Sequence, residues 1–404
     1  MGRTVSAVVT WGKDYLGTIG PVAVSIPWWS EVEPVVAHLS DVLGVPVIVL
    51  RLLRVDGGDG SRDGHVTYHA AALSRPAPGL LAARPADLEE LTRPEELRLP
   101  WARLDGVREL LGWASDTLEA AGRPMTGPAG QRRTWNLSGL FQLPTGTGPV
   151  WLKATPPFAA DEAGVIAAFA RADPSLVAPV IGAAPGRVLL EHLPGEDCWD
   201  ASQPVITSAV QRLTAAQAAL ASELPGIPGL TDRRRPALTA QLRALLDGPV
   251  TAELSGPELA AARELLGRFP LLDECGLPDT LVHGDFHPGN WRSDGGPPVI
   301  VDWADAHLGN PVLDGLRACD YLPPAKRPAA ARAWIAAWSS SVPGCDPARA
   351  LRLAGPLGHL AYAVRYQEFL DGIEPSERIY HRGDPAAAIR AALRSAKSNG
   401  PEPT

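Results

Sequence analysis

The stretch Leu281-Val-His-Gly-Asp-Phe-His-Pro-Gly-Asn290, followed by Val299-Ile-Val-Asp-Trp303, holds the chain's densest set of groups able to do chemistry. Apolar, strand-like pieces flank a polar loop on both sides, so Asp285, Asn290 and Asp302 are delivered toward one small volume. Two carboxylates and an amide oxygen so arranged are what phosphoryl transfer from a nucleoside triphosphate requires. One carboxylate receives the proton of the attacking hydroxyl, while the amide oxygen and the other carboxylate hold the magnesium that bridges the phosphates. A plain polar turn, with Asp285 and Asn290 capping nearby amides, would have no use for a further carboxylate beyond the hairpin.

The spacing sharpens this reading. Asp285 and Asn290 are separated as D-x-x-x-x-N, and His283 stands two before the Asp, as in the H-R-D catalytic loop of kinases, with Gly284 in place of Arg. Val301-Asp302-Trp303 occupies the place of D-F-G. Together these residues resemble the aminoglycoside phosphotransferase family of kinase-like small-molecule kinases, over roughly residues 131 to 395. The resemblance implies an α+β, protein-kinase-like bilobal fold, with an antiparallel β N-lobe and a helical C-lobe. It also implies ATP (or GTP) and Mg2+ as cofactors, Asp285 as the catalytic base, Asn290 and Asp302 as metal ligands, and a small-molecule hydroxyl as acceptor. Acceptors across the family include aminoglycosides, macrolides, amino sugars, choline and homoserine. Antibiotic inactivation is the first expectation, a metabolic kinase of an amino sugar or amino alcohol the second, and a non-catalytic nucleotide-binding sensor the third. Between Asp302 and Asp314 there is no room for a long activation loop, which argues against a protein kinase.

The elements that must position these groups follow from patterning. Thr134 to Leu143 and Pro149 to Ala154 read as two strands joined at Thr145-Gly-Thr-Gly148, an antiparallel hairpin. Lys153 ends the second strand, where a kinase places its phosphate-contacting lysine. Only four lysines stand among the 37 basic residues, so one kept in an apolar strand is informative. Glu162 opens a helix nine residues on, placed to pair with Lys153. Ser138 and Gly139 are the candidates for covering the phosphates. Val188 to Gly195 reads as a strand entering a turn. In the resembled family this is the hinge, so Glu191 and Leu193 are expected to meet the nucleotide base through main-chain atoms. Pro204 to Glu223, Leu238 to Leu246 and Pro257 to Phe269 show helical spacing, and the Asp232-Arg-Arg-Arg235 run between two of them reads as a solvated loop. His283 is expected to brace the loop and Asp314 to steady its backbone.

Residues 1–100 read as a small α/β domain. It has strands at Thr4 to Thr10, Val47 to Leu53 and His65 to Leu73, and a helix opened by a capping box at Ser30-Glu-Val-Glu33 and stopped at Gly44. Its order of elements faintly resembles a nudix domain that lacks the metal-binding carboxylates. Residues 101–130 are expected to supply a linker helix after a Pro-rich boundary, 131–195 the N-lobe and hinge, and 196–397 the C-lobe, with a disordered tail to Thr404. Capping of the acceptor cleft, a homodimer contact and a separate ligand are all open roles for the first hundred residues.

A net charge of −8 argues against a nucleic-acid footprint. The four scattered cysteines, Cys198, Cys275, Cys319 and Cys345, form no C-x-x-C and fit a reducing cytoplasm. No uninterrupted apolar run is long enough to span a membrane, so a cytoplasmic protein without membrane association is expected.

Overall fold

The computed structural model describes residues 2–82, 93–222, 224, 226–227 and 229–398. The middle of the Pro-rich boundary and the tail past Ser398 lie outside them. The chain divides into two compact units. One comprises Met1–Pro156, Ile181–His192 and Phe369–Arg382, the other Pro157–Val180, Leu193–Glu368 and Gly383–Thr404.

The first unit is built on two sheets. Strands β1 (Arg3–Trp11), β2 (Asp14–Val24), β3 (Val47–Asp56) and β4 (His65–Ala72) form the order β2-β1-β4-β3, with β1 and β4 parallel and the other pairs antiparallel. Helix α1 (Glu33–Leu43) covers one face, where Val35, Leu39 and Leu43 meet Val47, Val49 and Leu52 in one core. Gly44 ends the helix at φ +64°, as its place in the sequence predicts. The capping box does not form. Val32 is the N-cap with Pro34 in the first turn, and the two acids instead engage arginines, Glu31 with Arg133 and Glu33 with Arg132. Strand β2 went unread because Gly17, Gly20 and Pro21 interrupt its alternation.

Strand β3 is buried on both faces, which explains its unbroken apolar start. Ile48 and Leu50 join a second core with Trp101, with helix α2 (Leu104–Ala120) through Val107, Leu110 and Leu118, and with Phe141, Leu152 and Leu189 of the second sheet. The first hundred residues thus share a core with the strands that follow. Gln131 adds a polar tie: its side chain donates to Val49 O at 2.7 Å and accepts from Val49 N at 2.9 Å, as a neighbouring strand would. The second sheet, β5 (Gly130–Trp135), β6 (Ser138–Thr145), β7 (Gly148–Ala154), β8 (Val180–Ala184) and β9 (Arg187–Glu191), has the order β5-β6-β7-β9-β8. The single strand expected from Thr134 to Leu143 is therefore two, split at Asn136-Leu137. Asn suits that turn, and its buried side chain donates to Glu377 O at 3.4 Å.

The second unit is mostly helical: α3 (Glu162–Ala172), α4 (Gln203–Ala221), α5 (Arg235–Asp247), α6 (Gly256–Leu265), α7 (Phe269–Asp273), α8 (Val312–Tyr321), α9 (Arg327–Ser341), α10 (Pro347–Gly372) and α11 (Asp384–Ser398). Short strands hold its loops: β10 (Glu196–Asp197) pairs with β13 (Trp291–Ser293), which pairs with β14 (Val299–Ile300). Strands β11 (Thr231–Asp232) and β12 (Thr280–Val282) flank β15 (His307–Gly309). The α+β class is borne out. No described helix is long and apolar enough to cross a membrane.

Candidate active site

The polar loop leaves β12 and returns through the β13–β14 hairpin, whose register sets Trp291 opposite Ile300. One step further Val301 N donates to Asn290 O at 2.9 Å, so Asn290 and Asp302 are neighbours by construction. His283 ties the two arms together. It is fully buried, its Nδ1 accepts from Asp285 N at 3.2 Å, and its Nε2, which must then carry the proton, donates to Val301 O at 3.0 Å. Asp314, in the first turn of α8, accepts the backbone N–H groups of His283 at 2.8 Å and Gly284 at 3.0 Å. Tyr362 donates to Gly284 O at 3.2 Å. Gly284 stands at φ +86°, with Asp305 O where a Cβ would fall, so only glycine fits between.

Both oxygens of Asp285 are occupied. Oδ1 accepts from Arg317 Nε at 2.8 Å and pairs with Nη2 at 2.6 Å. Oδ2 faces His287 Nε2 at 3.2 Å and accepts from Asn290 Nδ2 at 3.2 Å. Burial pushes this carboxyl upward, but the Arg317 charge and the His287 contact override it and hold Asp285 below the usual carboxylate range. Arg317 lies against the rings of Tyr321 and Tyr362, 4.2 and 4.5 Å from their centroids. His287 is stacked between Trp199 and Tyr321, at 5.2 and 4.8 Å.

Asn290 Nδ2 is committed to Asp285, donating to its O at 2.9 Å as well as to Oδ2. Its amide oxygen takes no part in these bonds. Asp302 sits at φ +65°, a conformation uncommon for any residue but glycine and concentrated at functional sites. Behind it, Glu162 accepts from Trp303 N at 2.9 Å and anchors the start of α3 to the same segment. An amide oxygen and a carboxylate are hard donors that fit Mg2+, which takes one or two protein groups and completes its shell with phosphate oxygens and water. Among the described residues no group of three or more His, Cys, Asp or Glu is placed to hold a metal alone.

In the first unit Lys153 lies in the middle of the sheet, between Leu140 of β6 and Val188 of β9, and is buried. It is not a surface lysine on an edge strand. Gly139, one register step away opposite Ala154, is packed against Trp101, and Ser138 Oγ accepts from Trp135 Nε1 at 2.9 Å. Glu191 pairs with Val150 through its backbone and with Arg123 through its carboxylate. Leu193 follows in the second unit, outside any strand. The structure thus brings Asp285, Asn290, Asp302 and Glu162 together in one unit and Ser138, Gly139, Lys153 and Glu191 onto one sheet in the other.

One expectation is corrected. Arg233 is not part of a solvated run: it is buried and bonded to Glu368 at 2.5 Å, because α10 brings that acid alongside. Asp305 is held by Arg365 at 2.5 and 2.9 Å. Arg317 was missed altogether. Its only signal was its place one helical turn after Asp314, on the same face of a helix that starts beside the loop.

Residues 141–351 match the sequence profile of the phosphotransferase enzyme family. No curated protein matches the sequence. Solved structures share the fold. An ethanolamine kinase from Plasmodium vivax is 10% identical at a TM-score of 0.53, covering 78% of this chain and 95% of its own. A choline kinase from Streptococcus pneumoniae is 10% identical at 0.52, covering 71% and 99%. A macrolide 2'-phosphotransferase of type I is 16% identical at 0.50, covering 69% and 96%. At such identities the likeness is one of fold.

Proposed function

The chain belongs to the phosphotransferase enzyme family, and from that premise we propose that it moves the γ-phosphoryl group of ATP (or GTP) to a hydroxyl of a small molecule. The observation that carries this reading is the Asn290 side chain, bonded to Asp285 while its backbone is paired with Val301 beside Asp302. That arrangement supports a base and two oxygen donors for a cation within one loop and hairpin.

Asp285 receives the proton that the acceptor hydroxyl gives up as its oxygen bonds to the γ-phosphorus and the bridging P–O bond to the leaving diphosphate breaks. Because such transition states are loose, Asp285 acts chiefly by orienting that oxygen. Asn290 and Asp302 would hold Mg2+, which supplies charge neutralisation of the phosphates when bound. Lys153 is the cation we assign to the phosphates. The main chain at Glu191 and Leu193 is assigned to the nucleotide base, and the turn at Asn136-Leu137, beside Ser138 and Gly139, to covering the phosphates. Glu162 positions the Asp302 segment through Trp303.

The two acceptor classes expected from sequence each have a counterpart in fold, the macrolide phosphotransferase for antibiotics and the ethanolamine and choline kinases for amino alcohols. The test is ADP release with saturating magnesium and ATP across antibiotics, sugars, amino sugars, amino alcohols and hydroxy acids, with transfer confirmed by phosphorus NMR of the product. Turnover abolished in Asp285→Ala is the expected result. Full turnover in that variant would remove Asp285 from the chemistry.

A further inference from the structure

Asp285 has more donors than a working base can carry. A carboxylate offers about four lone-pair positions, and here Arg317 Nε, Arg317 Nη2, His287 Nε2 and Asn290 Nδ2 all lie at hydrogen-bonding distance from its two oxygens. An incoming hydroxyl must donate to one of those oxygens before it can attack, so a donor has to let go first. Asn290 cannot leave without losing the ligand oxygen it aims, and His287 is fixed through its other ring nitrogen, which accepts from Gly289 N at 3.0 Å. Arg317, a cation, is the donor that a competing oxyanion can draw away, because such a group offers its charge an equal partner. Its Nη1 makes no bond to Asp285, and its charge would pass to any oxyanion that arrives beside it.

Resting on the kinase reading above, we propose that the acceptor carries a carboxylate or phosphate near the hydroxyl to be phosphorylated, and that this oxyanion takes Arg317 from Asp285. Binding of the correct acceptor thereby uncovers the base.

The surroundings favour an anion over a cation. The faces of Tyr321 and Tyr362 that would cradle an ammonium group are already covered by the Arg317 guanidinium. Asp305 and Glu368, the acids on the far side of Gly284, are each paired with Arg365, and Glu368 with Arg233 as well. A cationic acceptor would have to break an existing ion pair to gain either of these two acids. Trp199 and Tyr321, 44% and 41% exposed, stand beside the base and offer an apolar wall for the rest of the acceptor.

The test uses the full chain with saturating magnesium and ATP, and acceptors matched in size but differing in one group: glucose 6-phosphate, glucose and glucosamine, then glycerate, glycerol and serinol. In at least one set the anionic member is expected to exceed its neutral counterpart in kcat/KM by about tenfold or more, with the cationic member lowest. Arg317→Met is expected to erase that order, mainly by raising KM for the anionic acceptor, and Arg317→Lys, which keeps the charge, to restore part of it. Melting curves establish that both variants are folded; if the Met variant is not, the Lys variant carries the comparison, expected to weaken the preference. Preference for the neutral or cationic member in the unsubstituted enzyme, or an equal fold-loss on all acceptors in the Arg317 variants, would overturn the inference and leave the kinase reading standing. Absence of phosphoryl transfer to every acceptor would overturn both.

Discussion

The carboxylate of Asp314 accepts the backbone N–H of His283 at 2.8 Å, and its other oxygen does the same for Gly284 at 3.0 Å. It is a buried acid that holds the backbone of the loop that presents Asp285, with the side chain of Gln217 as a third donor at 2.7 Å. Burial pushes its carboxyl upward while these donors and the neighbouring histidine pull it back, and the net shift is upward. Asp314→Ala strands buried N–H groups that cost roughly 1–3 kcal/mol each. Urea unfolding should report a loss on the order of 2–5 kcal/mol, and turnover should fall with it. Asp314→Asn keeps one good acceptor and is expected to lie between. Equal stability of the Ala variant and the parent would show that the loop does not depend on this contact.

Asp285 and Asn290 touch each other yet should fail differently. Asp285→Asn preserves shape and removes the base, so kcat is expected to drop by about 10²- to 10⁴-fold while calorimetric affinity for the magnesium nucleotide changes little. Asn290→Ala removes a cation ligand, so the magnesium concentration giving half-maximal turnover should rise by about tenfold or more. Titrating magnesium for both variants separates the roles. An unchanged magnesium requirement in Asn290→Ala would contradict its assignment.

Gln131 stands in for a strand neighbour of β3, with both side-chain bonds made to Val49. Gln131→Ala leaves a buried N–H and carbonyl of β3 without their partner, at a cost of about 2–4 kcal/mol. Because the first hundred residues share a core with the second sheet, that loss should appear in one cooperative unfolding transition of the first unit, read by hydrogen exchange at Val49 and at Leu152 together. Exchange that rises at Val49 alone would mean that the two sheets open independently.

What the sequence disclosed, and what it hid, follows from the range of the interactions. The loop from His283 to Asn290 and the step to Asp302 were legible because spacing within a few residues fixes them, and the lone strand lysine stood out against an arginine-rich composition. Strand β2 was hidden because its glycines and proline break the alternation that marks a strand, and the split at Asn136-Leu137 because apolar residues run on either side of it. Arg233, Arg317 and Arg365 could not be ranked from the chain. Their partners, Glu368, Asp285 and Asp305, lie tens of residues away, and an arginine bound to a distant acid looks in sequence like any other on a wet helix.

Glu377 gives a prediction in pH. Its side chain is 3% exposed, and its Oε1 accepts from Leu52 N at 3.3 Å near the ion pairs that Glu374 makes with Arg51 and Arg98. Burial first, and then the charge of Glu374, raise its carboxyl from an ordinary value of 4.5 to about 8. Below about pH 4.5 both folded and unfolded chains hold this proton and the group has no effect on stability. Between there and pH 8 the folded state keeps a proton that the unfolded chain has released, so stability falls as pH rises and levels off above 8. Glu377→Gln keeps the acceptor oxygen and removes the charge. Its melting temperature should equal that of the parent near pH 4.5 and exceed it increasingly toward pH 9, where the gain in stability approaches about a few kcal/mol, on the order that such a shift implies. A constant offset between the two proteins across that range would mean that Glu377 is ionised in the folded chain throughout.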